Sequence, residues 1–214
     1  MIELSSLNRQ ECVRYLGNAK VQMNSKMEEL LDICEQEVLK NAEPKYLYKE
    51  VSVNTAELLE GNDIKGHLQG CQKAIVMCAT LGNSIDNLIR KTQLLDMAKA
   101  VVLDSFASVA IEQVCCSIDE IIAEKYSGQY LTFRFSPGYG DYPISLQKQF
   151  LNILDAPRKI GLCTNDNFLL TPTKSVTAIV GVSENEIEQR KRGCAVCSLK
   201  GNCRYRKAGS HCGF

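Results

Sequence analysis

Arg134-Phe135-Ser136-Pro137-Gly138-Tyr139-Gly140-Asp141-Tyr142-Pro143-Ile144-Ser145 sets two glycines, two prolines and two tyrosines among twelve residues. The stretch separates two different patterns. Before it, Tyr130-Leu131-Thr132-Phe133 has the aromatic and β-branched content of a short strand. After it, Ser145 heads a segment over 146–154 in which Phe150, Leu151 and Leu154 fall on one helical face. A loop from a strand end to a helix N-terminus is a place where folds carry ligand sites. Gly138 and Gly140 permit positive φ and a close approach of backbone to a ligand. Pro137 and Pro143 fix φ and lower the entropy cost of one loop shape. Arg134 offers a planar donor fork for a carboxylate or phosphate. Tyr139 and Tyr142 can stack on a flat ring or face a cationic group. The helix after the loop turns its partial positive end back toward it, which favours an anionic group there. The plain alternative is a structural turn with a salt-bridged arginine.

Outward from the loop, helices and strands intermix without a regular βαβ repeat, which predicts an α+β fold with a mainly antiparallel sheet. A helix over 7–16 has Ser6 as its cap, and Ser25-Lys26-Met27-Glu28 is a capping-box pattern opening a second helix that Pro44 stops. Residues 46–53 have strand composition, and a short helix carrying His67 is expected over 64–70, where a lone histidine reads as core or surface filler. Ala74-Ile75-Val76-Met77-Cys78-Ala79 is a buried-strand run. Asn83 or Ser84 can cap the helix that follows it. Residues 94–126 carry the strongest helical periodicity, through Met97, Val101, Ala107, Ala110, Ile111, Val114 and Ile118, and read as a central core helix. Pro157 is expected to break the helix after the loop. Residues 168–170 and 175–182 read as strands, and Ser183-Glu184-Asn185-Glu186 as the start of a last short helix.

The 214 residues suffice for a full core, and 45% apolar with 23% charged residues is ordinary globular composition. Net charge is zero, so nothing global draws the chain to nucleic acid or an anionic membrane. The N-terminus lacks a basic segment and a long apolar core, so no signal peptide is expected, and the longest uninterrupted apolar run is too short to span a bilayer. The expected compartment is the cytoplasm. Of eleven cysteines, Cys12, Cys34, Cys71, Cys78, Cys115, Cys116 and Cys163 are scattered through apolar patterning and read as reduced thiols. A disulfide between the adjacent Cys115 and Cys116 would be strained.

Two domains are expected: residues 1–189, with a helical part over about 1–44, and a tail over 190–214. The tail carries Cys194, Cys197, Cys203 and Cys212 in a C-x2-C-x5-C-x8-C spacing whose first pair can reach one ion. In a reducing compartment that points to zinc or an iron–sulfur cluster, which the spacing does not separate, with His211 able to replace Cys212. Unbound or redox-active thiols are the alternatives. Seven Lys and Arg and no acidic residue lie within 189–214, which offsets thiolate charge; nucleic acid is not the expected partner.

Arg134-x-x-x-Gly138-Tyr139 followed by a proline and a helix resembles the S-adenosylmethionine-binding loop of the activation domain of cobalamin-dependent methionine synthase. Two further segments are similar to that domain in the same order: 101–112, like its long helix, and 169–181, like a later segment entering a strand. The resemblance covers roughly residues 75 to 185. It implies an α+β fold with a curved, mainly antiparallel sheet and helices packed around it. It implies that Arg134 holds the methionyl carboxylate, that Ser136, Pro137 and Gly138 line the ligand through their backbone, and that Tyr139 packs against it. Lys148 falls where the family has lysine, whereas Ile144, Ser145 and Gln147 replace its polar residues. The tail has no counterpart in the large enzyme's domain. The expected role is binding S-adenosylmethionine to support reductive methylation of cob(II)alamin, with no independent turnover. No Asp-x-His-x-x-Gly cobalamin motif occurs, so the cobalamin belongs on a separate methionine synthase or corrinoid protein, with an electron donor such as flavodoxin or ferredoxin. An iron–sulfur electron-transfer or reactivating factor for a corrinoid protein is the alternative.

Overall fold

Every residue of 74–80 is buried, although side chains alternate between the two faces of a strand. A strand buried on both faces needs a layer above and a layer below it, and this requirement organises the chain. The computed structural model describes residues 2–17, 23–54, 58–188 and 201–202. The strand is β2 (Lys73–Thr80). It lies between β1 (Lys45–Ser52) and β6 (Ser175–Ser183), and β6 pairs on its far side with β3 (Tyr130–Leu131). All three pairings are antiparallel. A separate two-stranded pair joins β4 (Cys163–Thr164) to β5 (Leu170–Thr171). The fold is thus α+β, as the intermixed patterns predict.

Alternation along β2 and β6 divides the core in two. Ile75, Met77 and Ala79 with Ala178, Val180 and Val182 face one layer. That layer holds α1 (Arg9–Tyr15), α2 (Ser25–Asn41), α4 (Asn83–Gln93) and α5 (Met97–Lys125). Ala74, Val76, Cys78 and Ile179 face the other. There α3 (Asn62–His67), α6 (Gln147–Leu154) and α7 (Ala156–Ile160) bring Ile64, Phe150, Leu151, Leu154 and Ala156. Gly181 on β6 has no room for a side chain, since a Cβ would lie 2.5 Å from Cys71 Sγ and 3.0 Å from Leu68 Cδ2.

The 29-residue α5 is the spine of the first layer, with Leu103, Phe106, Ala107, Ala110 and Val114 fully buried. By length and mean hydropathy α5 could cross a bilayer, which the sequence reading missed because polar residues interrupt every apolar run. Here that apolar surface is spent on the core. Cys115 is buried and Cys116 exposed, as neighbours about 100° apart on a helix can be, and both are free thiols.

Helix starts depart most from expectation. Asn8, not Ser6, caps α1 by accepting from the Glu11 amide, and Asn24, not Ser25, caps α2 by accepting from Met27. Neither Asn83 nor Ser84 caps α4; the Ser84 hydroxyl donates instead to Glu43 at 3.0 Å. α5 begins at Met97 under an Asp96 cap, leaving Leu94 and Leu95 in an exposed turn. Ser145 lies inside a 3-10 turn (Ile144–Leu146) that leads into α6. Asp155 in the left-handed region (φ 54°) ends α6, while Pro157 sits in the first turn of α7, where its missing N–H costs nothing. No helix starts over 184–188; the Ser183 hydroxyl donates to the Gly70 carbonyl at 3.0 Å. The tail cysteines Cys194, Cys197, Cys203 and Cys212 lie outside the described residues.

Burial pushes four thiols up from 9.0: Cys34 to about 11, and Cys12, Cys78 and Cys115 to about 12. A group whose proton is held more tightly when folded contributes fully below its unfolded value and loses that contribution as pH rises toward the folded one. The melting temperature should therefore fall progressively between pH 9 and pH 11. A melting temperature that stays flat through that window contradicts this placement of the thiols.

Candidate functional site

The loop begins where β3 leaves the sheet. Leu131 pairs with Val182, and the Thr132 amide donates to the Gly181 carbonyl at 3.0 Å. Pairing resumes at Phe135, which exchanges two 2.9 Å hydrogen bonds with Ile179. Three steps on one strand thus oppose two on the other, so one extra residue is inserted between Thr132 and Phe135. This is a bulge, and it shifts the alternation. Thr132 and Phe133 both come to the α3 side. Arg134 turns to α5, and Phe135 returns to the α3 side. The expected four-residue strand is cut to two residues for the same reason.

On the α5 side, Arg134 Nε donates to Asp119 Oδ2 at 2.9 Å and Nη2 to Glu112 Oε2 at 3.3 Å. The Arg134 side chain is 18% exposed, whereas Glu112 and Asp119 are 46% and 43% exposed. Burial works against the guanidinium charge, and Cys115, Asp119 and Glu112 more than offset it, so the pKa lies above its ordinary value. Arg134 is thus paired with two carboxylates beside solvent. Glu112 and Asp119 escaped the sequence reading. Their signal was available: two carboxylates seven residues apart on a mostly apolar helix share one stripe.

On the α3 side an aromatic column supports the loop. His67 is 4% exposed; its Nε2 lies 2.9 Å from Thr132 Oγ1, and its ring sits 4.9 Å from Phe135 and 4.6 Å from Phe133. Phe135 stacks on Tyr142 at 5.8 Å, and Tyr142 meets Phe150 edge-on at 6.3 Å. The buried Tyr142 hydroxyl donates to the Leu58 carbonyl at 3.1 Å. Tyr142 is therefore a support, not the free stacking face expected for it, and burial raises its pKa.

The loop proper is a tight turn. Tyr139 N–H donates to the Ser136 carbonyl, Gly138 N–H to Tyr142 and Tyr142 N–H to Tyr139. Gly138 (φ 97°) and Gly140 (φ 56°) take the left-handed conformations that the sequence assigns them. Pro137 is buried, while Tyr139 is 59% exposed and touches only the outer edge of the column, 6.4 Å from Phe135. Three of the loop's amides are spent internally. What Ser136, Pro137 and Gly138 can offer a ligand is the Ser136 amide, carbonyl oxygen and the open side of Gly138, where a Cβ would approach nothing closer than 3.8 Å. The structure thus joins Ser136, Pro137, Gly138 and Tyr139 in one turn. It places Arg134 on the opposite side of the strand, against α5. Gln147, just past the loop, is 8% exposed, and its Oε1 has no hydrogen-bond partner among the described residues. Among the described residues no group of three His, Cys, Asp or Glu could hold a metal ion.

No protein-family model matches the chain, and no curated protein matches it by sequence. Among solved structures it is similar to a crystal structure of the MetH reactivation domain bound to AdoHcy. The identity is 15% and the TM-score 0.49, over 92% of this chain and 77% of that one.

Tyr142→Phe removes the only donor described for the buried Leu58 carbonyl and should cost about 1–2 kcal/mol of stability. Urea denaturation measures it; a loss under about 0.5 kcal/mol would mean that water reaches the carbonyl.

Proposed function

We propose that this chain binds S-adenosylmethionine at the 134–143 loop and supports reductive methylation of a corrinoid held by another protein. One observation carries the reading. Beside the Arg134-x-x-x-Gly138-Tyr139 motif, the Arg134 fork is held by two partly exposed carboxylates, Glu112 and Asp119. S-adenosylmethionine presents a carboxylate, an ammonium and a sulfonium, a net charge of plus one. The methionyl carboxylate takes a place on the Arg134 fork, and the released carboxylate of Glu112 or Asp119 faces the ammonium. One internal ion pair is exchanged for two pairs with the ligand. Ser136, Pro137 and Gly138 line the ligand through carbonyls and the open Gly138 side, and the exposed Tyr139 ring packs against it.

The ligand, when bound, supplies an activated methyl group. The chain's own contribution is binding and orientation: it fixes the methionyl end and holds one turn of backbone against the rest of the ligand. It has no turnover of its own on this reading. The corrinoid belongs to a cobalamin-binding methionine synthase or corrinoid protein, the electron comes from a donor such as flavodoxin or ferredoxin, and the setting is the cytoplasm. Cys194, Cys197, Cys203 and Cys212 would hold zinc, which is colourless, or an iron–sulfur cluster, which is not.

Calorimetric titration of the anaerobic protein with S-adenosylmethionine tests the reading. Wild-type protein should bind, and Arg134→Ala should weaken binding by about tenfold or more, the equivalent of one lost charge-assisted hydrogen bond. Absence of heat in the wild type, even with a corrinoid protein present, overturns the proposal.

A further inference from the structure

The helix start of α3 is capped from far away. Asp141 Oδ2 accepts from the Asn62 amide at 2.7 Å and Asp141 Oδ1 from the Asp63 amide at 2.9 Å. Asp63 Oδ2 in return accepts from the Asp141 amide at 3.1 Å. The two carboxylates therefore trade places on each other's backbone across 78 residues of sequence. Both sides are cleared for it by glycine. A Cβ at Gly61 (φ 112°) would lie 2.7 Å from Asp141 Oδ1, and one at Gly140 would strike Asp63 Oδ2.

A six-residue helix that needed only a cap would take it most simply from its own Ncap position. That position is Gly61, which has no side chain to offer, and the space it leaves is filled by Asp141. The arrangement ties two segments together at the expense of a local cap. The other end of the same segment is tied to the same loop. His67 stacks on Phe135 and bonds Thr132, and the Leu58 carbonyl receives the Tyr142 hydroxyl. Segment 58–67 thus holds 132–142 at both ends, and the exposed Gly138-Tyr139 turn lies between the ties.

We propose that segment 58–67 and the loop form one clasp, and that Asp141 is the positioning residue that keeps Gly138 and Tyr139 in their ligand-facing shape. The positioning role rests on the proposed S-adenosylmethionine reading; the clasp itself does not. Asp141 touches no ligand in this account. It acts through the turn that it anchors.

The test uses the full chain with Asp141→Ala, Asp141→Asn and Gly140→Ala. Hydrogen exchange by mass spectrometry reads the clasp, and calorimetric titration with S-adenosylmethionine reads the positioning. Asp141→Ala and Gly140→Ala should speed exchange in 58–67 and 136–146 together, while β2 and α5 stay protected. Asp141→Ala should weaken S-adenosylmethionine by about tenfold or more, and Asp141→Asn, which keeps one acceptor oxygen but turns its NH2 toward the second amide, should weaken it less than Asp141→Ala does. Exchange that rises in only one of the two segments, or in neither, overturns the clasp. Loosened segments with wild-type affinity in Asp141→Ala overturn the positioning role. A wild-type chain that binds no S-adenosylmethionine overturns the proposed function and the positioning role with it, while coupled exchange still decides the clasp.

Discussion

The constraint on which the molecule depends is the two-sided burial of β2 and β6. Their pairing runs from Lys73 opposite Val182 to Thr80 opposite Ser175, and side chains leave it toward both layers. A sheet buried on both faces cannot stop at one helical layer. The apolar stripes of α2 and α5 close one side, and α3, α6 and α7 close the other. The bulge after β3 is useful because of this division. One inserted residue sends Arg134 to the layer of α5 and Phe135 to the layer of α3, so a single loop reaches both sides of the sheet.

Two different kinds of support meet at that loop. On one side the contacts are charged: a mostly buried guanidinium meets two carboxylates about half open to water. On the other side the supports are buried rings and a buried hydroxyl, which fix shape and do not exchange. The combination suits the proposed binding role: a backbone shape set by the aromatic column and a counter-charge set by α5.

What could be read from the sequence follows the range of the interactions. The run Ala74-Ile75-Val76-Met77-Cys78-Ala79 and the periodicity of α5 announced a buried strand and a core helix, because their patterns are repeated over many residues. The positive φ of Gly138 and Gly140 was legible because only glycine takes such angles freely. Two caps were misread by one or two residues, since Asn8 and Asn24 compete with the nearby Ser6 and Ser25 for the same role. The capping of α3 by Asp141 and the bulge before Arg134 could not be read at all. Both depend on which distant segment lies alongside. For Arg134 the sequence left a ligand clamp and a salt-bridged turn as alternatives; the structure shows the ion pairs, to carboxylates that are partly exposed.

The central claim is that S-adenosylmethionine lies against the 134–143 loop. Ultraviolet cross-linking of methyl-labelled S-adenosylmethionine to the intact protein, followed by peptide mapping, locates the ligand without any mutation. The account predicts that label concentrates on the peptide spanning Arg134 to Lys148, at Tyr139 above all. Label spread evenly over the chain, or concentrated on a peptide outside this loop and the facing stretch of α5, would contradict it.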